Sequence, residues 1–281
     1  MIAIFDDAGT RQTVAYGGLS LNVSSDAPDE TYALDTVTIV PQYSTNMDPN
    51  PNTDGSKLGL VRRTLYLVRV DGVLRAPTLA KYFERVKNLV AAFDPAVAYA
   101  GSPSTDGATA LDFTSLTTDT TNYPTGKIAC RYYARARSLY VPPSSAFSGN
   151  AGFFTAELMV PDPLRYSQTL YSLTGAGAAD LSAGNHASYP VLTITMAGAG
   201  SATYKITVGS SSLTLDLSGR SAADVVSVDM ATKSIKVNGV ETPSLYAAGD
   251  WFPLLAASNT VTYTNTTNAT SVLTWRRAWV I

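Results

Sequence analysis

The feature that most constrains the fold is an alternating stretch, residues 153–160, that runs directly into Pro161-Asp162-Pro163. Its even-numbered residues are all apolar, whereas Thr155 and Glu157 fall on the other side, which is the two-residue period of a strand. Proline cannot donate a hydrogen bond to a sheet ladder, so the strand must stop or reach an edge here. An active-site loop, a hinge and an ordinary strand end all fit this pattern.

Further strands are predicted on both sides of this stretch. Residues 61–72 and 127–140 alternate, and the first of these segments ends in Asp71-Gly72, a dipeptide typical of turns. Residues 168–188 are small and poor in charge, which predicts a linker or an irregular crossover. Beyond them, short strands recur with frequent turn signals, among them Asn238-Gly239, which predicts a β-sandwich.

One segment has the period of a helix. Residues 77–93 place Thr78 as the N-cap, and Asp94-Pro95 ends the helix. We expect its apolar stripe to plug one side of a core. The members of this stripe are Leu79, Phe83, Val86, Leu89, Val90 and Phe93.

Length and composition favour two mainly β domains. The chain has 281 residues, 45% hydrophobic residues, 16 tyrosines and only 15% charged residues, against an average of about 25%. Low charge and abundant Tyr fit a protein that buries surface against copies of itself or partners, but also an ordinary all-β protein. The net charge is −2, without a basic tail, so binding to nucleic acid or a membrane surface has no electrostatic basis.

The residues of catalytic and metal sites are sparse. His186 is the only histidine and lies in the predicted linker, and Cys130, the only cysteine, falls on the apolar side of its strand. Residues 46–57 contain Asp48 and Asp54 at the spacing of a calcium loop, but the glycine and the final glutamate of such a loop are missing. We therefore predict a long exposed loop and no catalytic residue, metal or cofactor.

Three groups of residues remain candidates for contacts. Arg131, Arg135 and Arg137 share one strand face, which is either solvated or paired with acidic groups of a neighbouring subunit. The loop residues Asp48 and Asp54 are further candidates for contacts with another subunit or a partner. Three tryptophans are candidates either for the core or for stacking on sugar rings: Trp251, Trp275 and Trp279.

Five elements, in order over the second half of the chain, resemble the distal tail proteins of long-tailed bacteriophages. They are Asp162-Pro163 with Tyr166; Asn185 with Pro190; Asp229 and Lys233 with Asn238-Gly239; Trp251 with Leu254 and Asn259; and a closing aromatic-basic strand. One departure is that Ala257-Ser258 stands where the family has Pro-Gly. The first half matches only in outline.

The resemblance implies a mainly β, α+β protein. Its N-terminal ring-forming domain, residues 1–168, would contain one α-helix, and residues 169–281 would form a galectin-like β-sandwich. It further implies a homohexameric ring at the distal end of the virion tail, assembled in the host cytoplasm. That ring would lie between the tail tube protein and the baseplate hub or a tail-associated protein, and receptor-binding proteins would attach to it. Pro161, Asp162, Pro163 and Tyr166 then form a domain exit.

Two other functions stay open at the level of sequence. The C-terminal domain would be a carbohydrate-binding module or part of a minor tail protein if it contacts host-surface glycans. An enzyme such as a phage glycosidase needs paired carboxylates, which the sequence alone does not bring together.

Overall fold

A computed structural model describes residues 2, 4–5, 9–23, 32–49, 56–94, 109–141 and 150–280, with only the backbone described for 43–49 and 56–64. The chain divides into two compact units, unit 1 from Met1 to Leu164 and unit 2 from Arg165 to Ile281. The protein is mainly β with one α-helix in its described part, as the sequence predicts. The predicted domain boundary at residue 168 stays a prediction.

Unit 1 is built on antiparallel strands. They are β1 (Val14–Tyr16), β2 (Leu19–Leu21), β3 (Tyr32–Pro49), β4 (Ser56–Arg75), β5 (Thr109–Leu116), β6 (Lys127–Tyr140) and β7 (Ala151–Val160). Their order in space is β2-β1-β5-β6-β7-β4-β3. Within the described residues, β2 and β3 therefore lie at the ends of this order. Pro41 is tolerated in β3 because an end strand does not need every backbone donor.

Strand β6 changes partner halfway along its length. Its first half pairs with β5 up to Ala134, and its second half pairs with β7 from Arg135 onward. The predicted apolar side of β6 is buried, and Tyr132 at its centre stacks on Phe113 of β5 at a 5.1 Å ring separation. The ring of Tyr66 of β4 meets the Tyr132 ring edge-on, with 6.1 Å between centroids, so one aromatic cluster joins three strands.

Helix α1 spans Leu79–Ala92, and its predicted N-cap is confirmed. The Thr78 hydroxyl accepts a hydrogen bond from the backbone of Lys81 at 3.2 Å. The C-terminal turn packs closely on Gly17, where a Cβ atom would lie 2.3 Å from the carbonyl oxygen of Ala92. Since Gly17 also has a φ of 57°, only glycine fits this contact without strain.

The predicted stripe of α1 is wrong for three of its members. Leu89 and Phe93 are buried, but Leu79, Phe83 and Val90 are exposed. The helix is rotated so that Tyr82 enters the core, against Gly152 of β7. Tyr82 is not a member of the predicted stripe, yet its ring gives more apolar burial than a valine side chain does.

Two predicted interruptions of the N-terminal strands are also corrected. Asp71-Gly72 is not a turn, because β4 continues to Arg75 and Gly72 lies where a Cβ atom would come 2.7 Å from the Phe154 ring. The predicted loop 46–57 is too long, since β3 extends to Pro49 and β4 begins at Ser56, with the two strands paired up to these ends. Residues 50–55 of that loop, including the rest of the calcium-like pattern, lie outside the described residues.

Unit 2 contains thirteen strands in its described residues. They are β8 (Arg165–Ser167), β9 (Tyr171–Thr174), β10 (Gly177–Asp180), β11 (Val191–Met196), β12 (Tyr204–Val208), β13 (Ser211–Leu215), β14 (Val225–Asp229), β15 (Ser234–Val237), β16 (Val240–Glu241), β17 (Tyr246–Gly249), β18 (Ser258–Thr264), β19 (Ala269–Trp275) and β20 (Ala278–Trp279). A short 3-10 helix, Pro243–Leu245, precedes β17.

These strands form two antiparallel sheets and a small pair. One sheet has the order β10-β18-β12-β13-β17 and the other β16-β15-β14-β11-β19-β9, while β8 pairs with β20. Inward residues of both sheets, such as Ile206 of β12 and Ile194 of β11, belong to one buried cluster. Unit 2 is therefore a β-sandwich, as predicted. One polar link crosses it, between the hydroxyls of Tyr204 and Ser271 at 2.5 Å.

Of the two alternatives for residues 168–188, a linker or an irregular crossover, the linker is wrong. This segment contributes β9 to one sheet and β10 to the other, and it buries Ala179 and Leu181 in the sandwich core. Its small residues hid the strands, because Gly, Ala and Ser give no apolar alternation even where they line a tightly packed sheet.

Candidate partner-binding surface

One face of the sheet in unit 1 carries polar side chains in rows that cross β3, β4, β7 and β6. The strand registers place Thr36, Asp71, Thr155 and Tyr140 in one row. Cross-strand neighbours on one face of a sheet lie close enough to interact. This row is centred on Asp71, which the sequence analysis did not single out as a site residue.

Asp71 holds three neighbouring side chains. Its carboxylate accepts hydrogen bonds from the Thr155 hydroxyl at 2.7 Å, the Arg69 Nε at 2.9 Å and the Thr36 hydroxyl at 3.3 Å. Burial raises the pKa of Asp71, but these hydrogen bonds outweigh it and hold the pKa below its usual value. The row is therefore an internally satisfied network that fixes three strands with respect to one another.

Arg131 is already occupied within its own chain. Its guanidinium binds the Asp112 carboxylate through two hydrogen bonds of 2.6 and 2.7 Å across β5 and β6. These bonds raise the pKa of the guanidinium above its usual value. A bidentate pair of this kind stabilises the sheet and leaves few donors for a partner.

Arg135 and Arg137 are exposed. Arg135 is the first residue of β6 that pairs with β7, and Arg137 lies within a register shift of that pairing, between Ala136 and Ser138. Arg137 approaches Glu157 only to 4.0 Å. These two arginines, not Arg131, are the members of the predicted set that the structure leaves available to bind an acidic group. The remaining candidates, the side chains of Asp48 and Asp54, lie outside the described residues.

The domain-exit residues lie where the sequence analysis expects a strand to stop. Strand β7 ends at Val160, and the Asp162 carboxylate accepts a hydrogen bond from the backbone of Leu164 at 3.0 Å, which braces the turn between Pro161 and Pro163. Tyr166 then enters β8 opposite Ala278 of β20. A role of these residues as a domain exit remains our prediction.

A basic cluster at the end of the chain holds the first residues of unit 2. The Arg276 guanidinium donates to the carbonyls of Ser167, at 2.9 Å, and of Gln168. Arg277 binds the Asp180 carboxylate at 3.2 Å and stacks over Tyr171. The sequence analysis noted an aromatic-basic closing strand but did not predict that its arginines fix the start of the same unit.

The three tryptophans fall into two groups. Trp275 and Trp279 are only 5% and 6% exposed, and the Trp279 indole donates to the carbonyl of Ala183 at 3.1 Å. Trp251 is half-buried and stacks on the exposed Tyr246 with 5.8 Å between ring centroids. Two of the three are core residues, so only Trp251 could offer part of a ring face to a ligand.

The other motif residues of unit 2 build turns. Asp229 accepts backbone hydrogen bonds from Ala231 and Thr232, and Lys233 adopts a left-handed φ of 57° before β15 begins. Asn238 and Gly239 both have positive φ and connect β15 to β16, which confirms the predicted hairpin turn.

The side chain of Asn259 holds the turn that contains Ala257-Ser258, the dipeptide that stands in place of Pro-Gly. Asn259 is buried, and its side chain binds the backbone of Leu255 twice and the carbonyls of Ala257 and Ala179, with distances from 2.8 to 3.2 Å. These bonds hold the turn at residues 255–258 without a glycine, because a side-chain amide can satisfy both donors and acceptors of a loop.

The residues that the sequence analysis weighed for catalysis or metal binding lie apart in the chain. Cys130 is buried in β6, and the His186 Nδ1 lies 2.8 Å from the carbonyl oxygen of Ala187. Among the described residues, no group of three His, Cys, Asp or Glu side chains could hold a metal ion. No helix within the described residues has the length and hydropathy to cross a membrane. The predicted absence of catalytic residues and cofactors stays a prediction.

Comparisons with known proteins point to one group. Residues 183–279 match the family model described as siphovirus-type tail component, C-terminal domain. The structure resembles SPP1 Dit, described as a paradigm of the hub adsorption apparatus in phages that infect Gram-positive bacteria. That match has a TM-score of 0.59 and 14% identity, and covers 95% of this chain and 98% of that one.

A weaker likeness extends to a phage P2 baseplate structure. It has a TM-score of 0.47 and 6% identity, over 94% of this chain and 97% of that one, and this value is too low to support an argument. No curated protein matches the chain.

Proposed function

We propose that this chain is a Dit-like distal tail protein, and so a structural component of the baseplate at the distal end of the phage tail. We propose further that it forms a ring-shaped hub. The observation that supports this most directly is a fold shared with SPP1 Dit over nearly the whole of both chains. In the proposal, the hub is a homohexamer that joins the tail tube protein to the baseplate and anchors peripheral or receptor-binding proteins.

The work of such a hub is geometric. A closed ring needs two different patches on each protomer, one for each neighbour. In unit 1, β2 and β3 are the end strands of the order within the described residues, and they meet where the Asn22 N–H donates to the carbonyl of Tyr32 at 2.8 Å. End strands carry unpaired backbone groups where they have no neighbour, so we propose that unit 1 forms the ring through the parts of these two strands beyond that contact.

The exposed arginines of β6 fit a contact with a neighbouring subunit or partner. Arg135 and Arg137 lie beside a register shift, and in the described residues only Glu157 lies within 4.0 Å of either guanidinium as an ion-pair partner. Irregular strand positions of this kind re-aim side chains away from the regular ladder. We propose that an acidic group of another chain completes this site, and that Asp48 and Asp54 contact a partner as well.

Unit 2 is proposed to carry the peripheral proteins, and its galectin-like character is part of the same proposal. Binding of host glycans by this unit was the alternative from the sequence. With Trp275 and Trp279 buried, that alternative retains Trp251 alone among the tryptophans, and we do not propose it as a second function.

A phage from which this gene is deleted tests the proposal. We expect such a phage to produce particles or tails that lack a complete tip, and the wild-type chain supplied in the host to restore normal tips and titre. Electron microscopy of the lysates scores the tips. Normal tips and titre without the gene would contradict a structural hub.

A further inference from the structure

The sequence contains a single Asn-Gly dipeptide, Asn238-Gly239, and the proposed hub makes no use of it. An asparagine followed by glycine readily loses its side-chain amide in water, because glycine has no Cβ atom to hinder attack by its own backbone nitrogen. Both residues are exposed and lie in the hairpin turn between β15 and β16. The dipeptide is therefore a candidate site of chemical modification in which water is the only reagent.

The reaction, deamidation, proceeds through a cyclic imide. The backbone nitrogen of Gly239 attacks Cγ of Asn238 and a bond forms between them, while the Cγ–Nδ2 bond breaks and Nδ2 leaves as ammonia with the proton of the Gly239 N–H. Water then opens the imide, either at Cγ to give aspartate or at the backbone carbonyl carbon to give isoaspartate. The first step requires the amide to turn toward the following nitrogen, since reacting atoms must approach to about 3 to 3.5 Å in alignment.

The amide of Asn238 is held at both ends by residues at the start of β14. Its Nδ2 donates to Oδ1 of Asp224 at 2.9 Å, and its Oδ1 accepts from the backbone N–H of Val225 at 2.9 Å. A carboxylate on one side and an N–H on the other fix which end of the amide faces which partner. The amide must leave both partners before Gly239 can attack it.

Asp224 is itself fixed in the position where it meets Asn238. Its other carboxylate oxygen accepts from the backbone N–H of Ser221 at 3.0 Å, and its backbone carbonyl accepts from Met196 of β11 at 2.9 Å. The Ser221 backbone and the Asn238 side chain hold the pKa of Asp224 below its usual value, so the carboxylate is ionised at neutral pH. Ala223 before it has a left-handed φ of 71°, and such strain persists where surrounding contacts over-determine the backbone.

We infer that Asn238 is a deamidation site, and that Asp224 protects it by holding its amide in the folded chain. The two side-chain hydrogen bonds, one of them to a charged group, should slow loss of the amide by at least about tenfold relative to the unfolded chain. After the amide is lost, a second carboxylate faces Asp224. Repulsion between these like charges opens the turn before β16, the end strand of its sheet.

Ageing of the purified full chain at neutral pH tests the inference. Peptide mass spectrometry follows the conversion of Asn238 in the folded wild type, in the wild type unfolded in urea and in Asp224→Ala. We expect the folded wild type to react at least about tenfold more slowly than the unfolded chain, and folded Asp224→Ala to react several times faster than the folded wild type. Asp216→Ala is the matched control, because Asp216 braces its own turn through Ser218 in a similar way and should leave the rate at Asn238 unchanged.

The variant Asn238→Asp gives a second readout that does not depend on slow chemistry. It places the carboxylate of the product beside Asp224, and aspartate tolerates a left-handed turn as asparagine does. We expect it to lower the urea midpoint of unit 2 in tryptophan fluorescence. The midpoint should fall less when the same change is made in Asp224→Ala, because the repulsion is then absent.

The outcomes decide both parts of the inference. If the folded wild type loses the amide as fast as the unfolded chain, the site is not protected and the inference is wrong. Folded Asp224→Ala that reacts at the wild-type rate overturns the role of Asp224. If that variant does not fold, as judged by circular dichroism, an Asn238→Asp midpoint equal to that of the wild type overturns this role instead.

Discussion

The turn held by Asn259 gives the sharpest test of the structural reasoning in unit 2. We predict that Asn259→Ala destabilises unit 2 substantially. The side chain is only 7% exposed and makes four hydrogen bonds to backbone atoms. No other residue of the turn can take over all of these bonds, because Ala257 and Leu255 lack polar side chains.

The magnitude follows from which backbone groups keep a partner. The carbonyls of Leu255 and Ala257 keep second donors, from Ala257 at 2.7 Å and from Leu181 at 3.0 Å. The Leu255 N–H loses its acceptor, and the carbonyl of Ala179 loses the Asn259 amide. With about 1 kcal/mol for each lost bond, the free energy of unfolding should fall by about 2 kcal/mol.

Tryptophan fluorescence during urea unfolding is the appropriate assay. All three tryptophans of the chain lie in unit 2, so the signal reports this unit alone. With an m value of about 2 kcal/mol/M, the midpoint should fall by about 1 M. Ser258→Ala, in the same turn but exposed, is the control and should shift the midpoint by less than about 0.3 M. Equal shifts for the two variants would refute the account of the turn.

Two further predictions concern unit 1. Arg135→Glu should weaken ring assembly without unfolding the chain, since it reverses an exposed charge; oligomer size and tail assembly identical to the wild type would remove Arg135 from the interface. The hydrogen bonds to Asp71 hold the pKa of its carboxyl in the folded chain below the value in the unfolded chain, which is about 4. Asp71 should therefore stabilise the fold above about pH 4, and this stabilisation should be lost as the pH falls through the lower, folded-state pKa. Acid unfolding of Asp71→Asn, followed by circular dichroism, should therefore lack this loss, and a curve parallel to that of the wild type would argue against it.

Much of the architecture could be predicted from local sequence rules. The alternation of β6 and β7, the Thr78 cap and the Asn238-Gly239 turn are all confirmed, because each depends on a few neighbouring residues. The errors arise where tertiary contacts decide. Gly72 is a strand residue because Phe154 packs over it, a fact that no local pattern contains.

The candidate surface was harder to predict than the fold. The sequence indicates which residues share a face of β6 but not which strand lies beside them. Arg131 is paired within the chain only because β5 presents Asp112 at its register position. Asp71 was not recognised for the same reason, since its partners Thr36 and Thr155 lie on strands distant in sequence.

The central claim, that this chain forms the ring of a tail-tip hub, is tested most directly by the native mass of the purified full-length protein. Native mass spectrometry should give one assembly at six times the 29.7 kDa chain mass, and negative-stain averages of the same sample should show six-fold rings with a central opening. A protein that stays at the mass of one chain at micromolar concentration, with no ring in the images, would contradict the account.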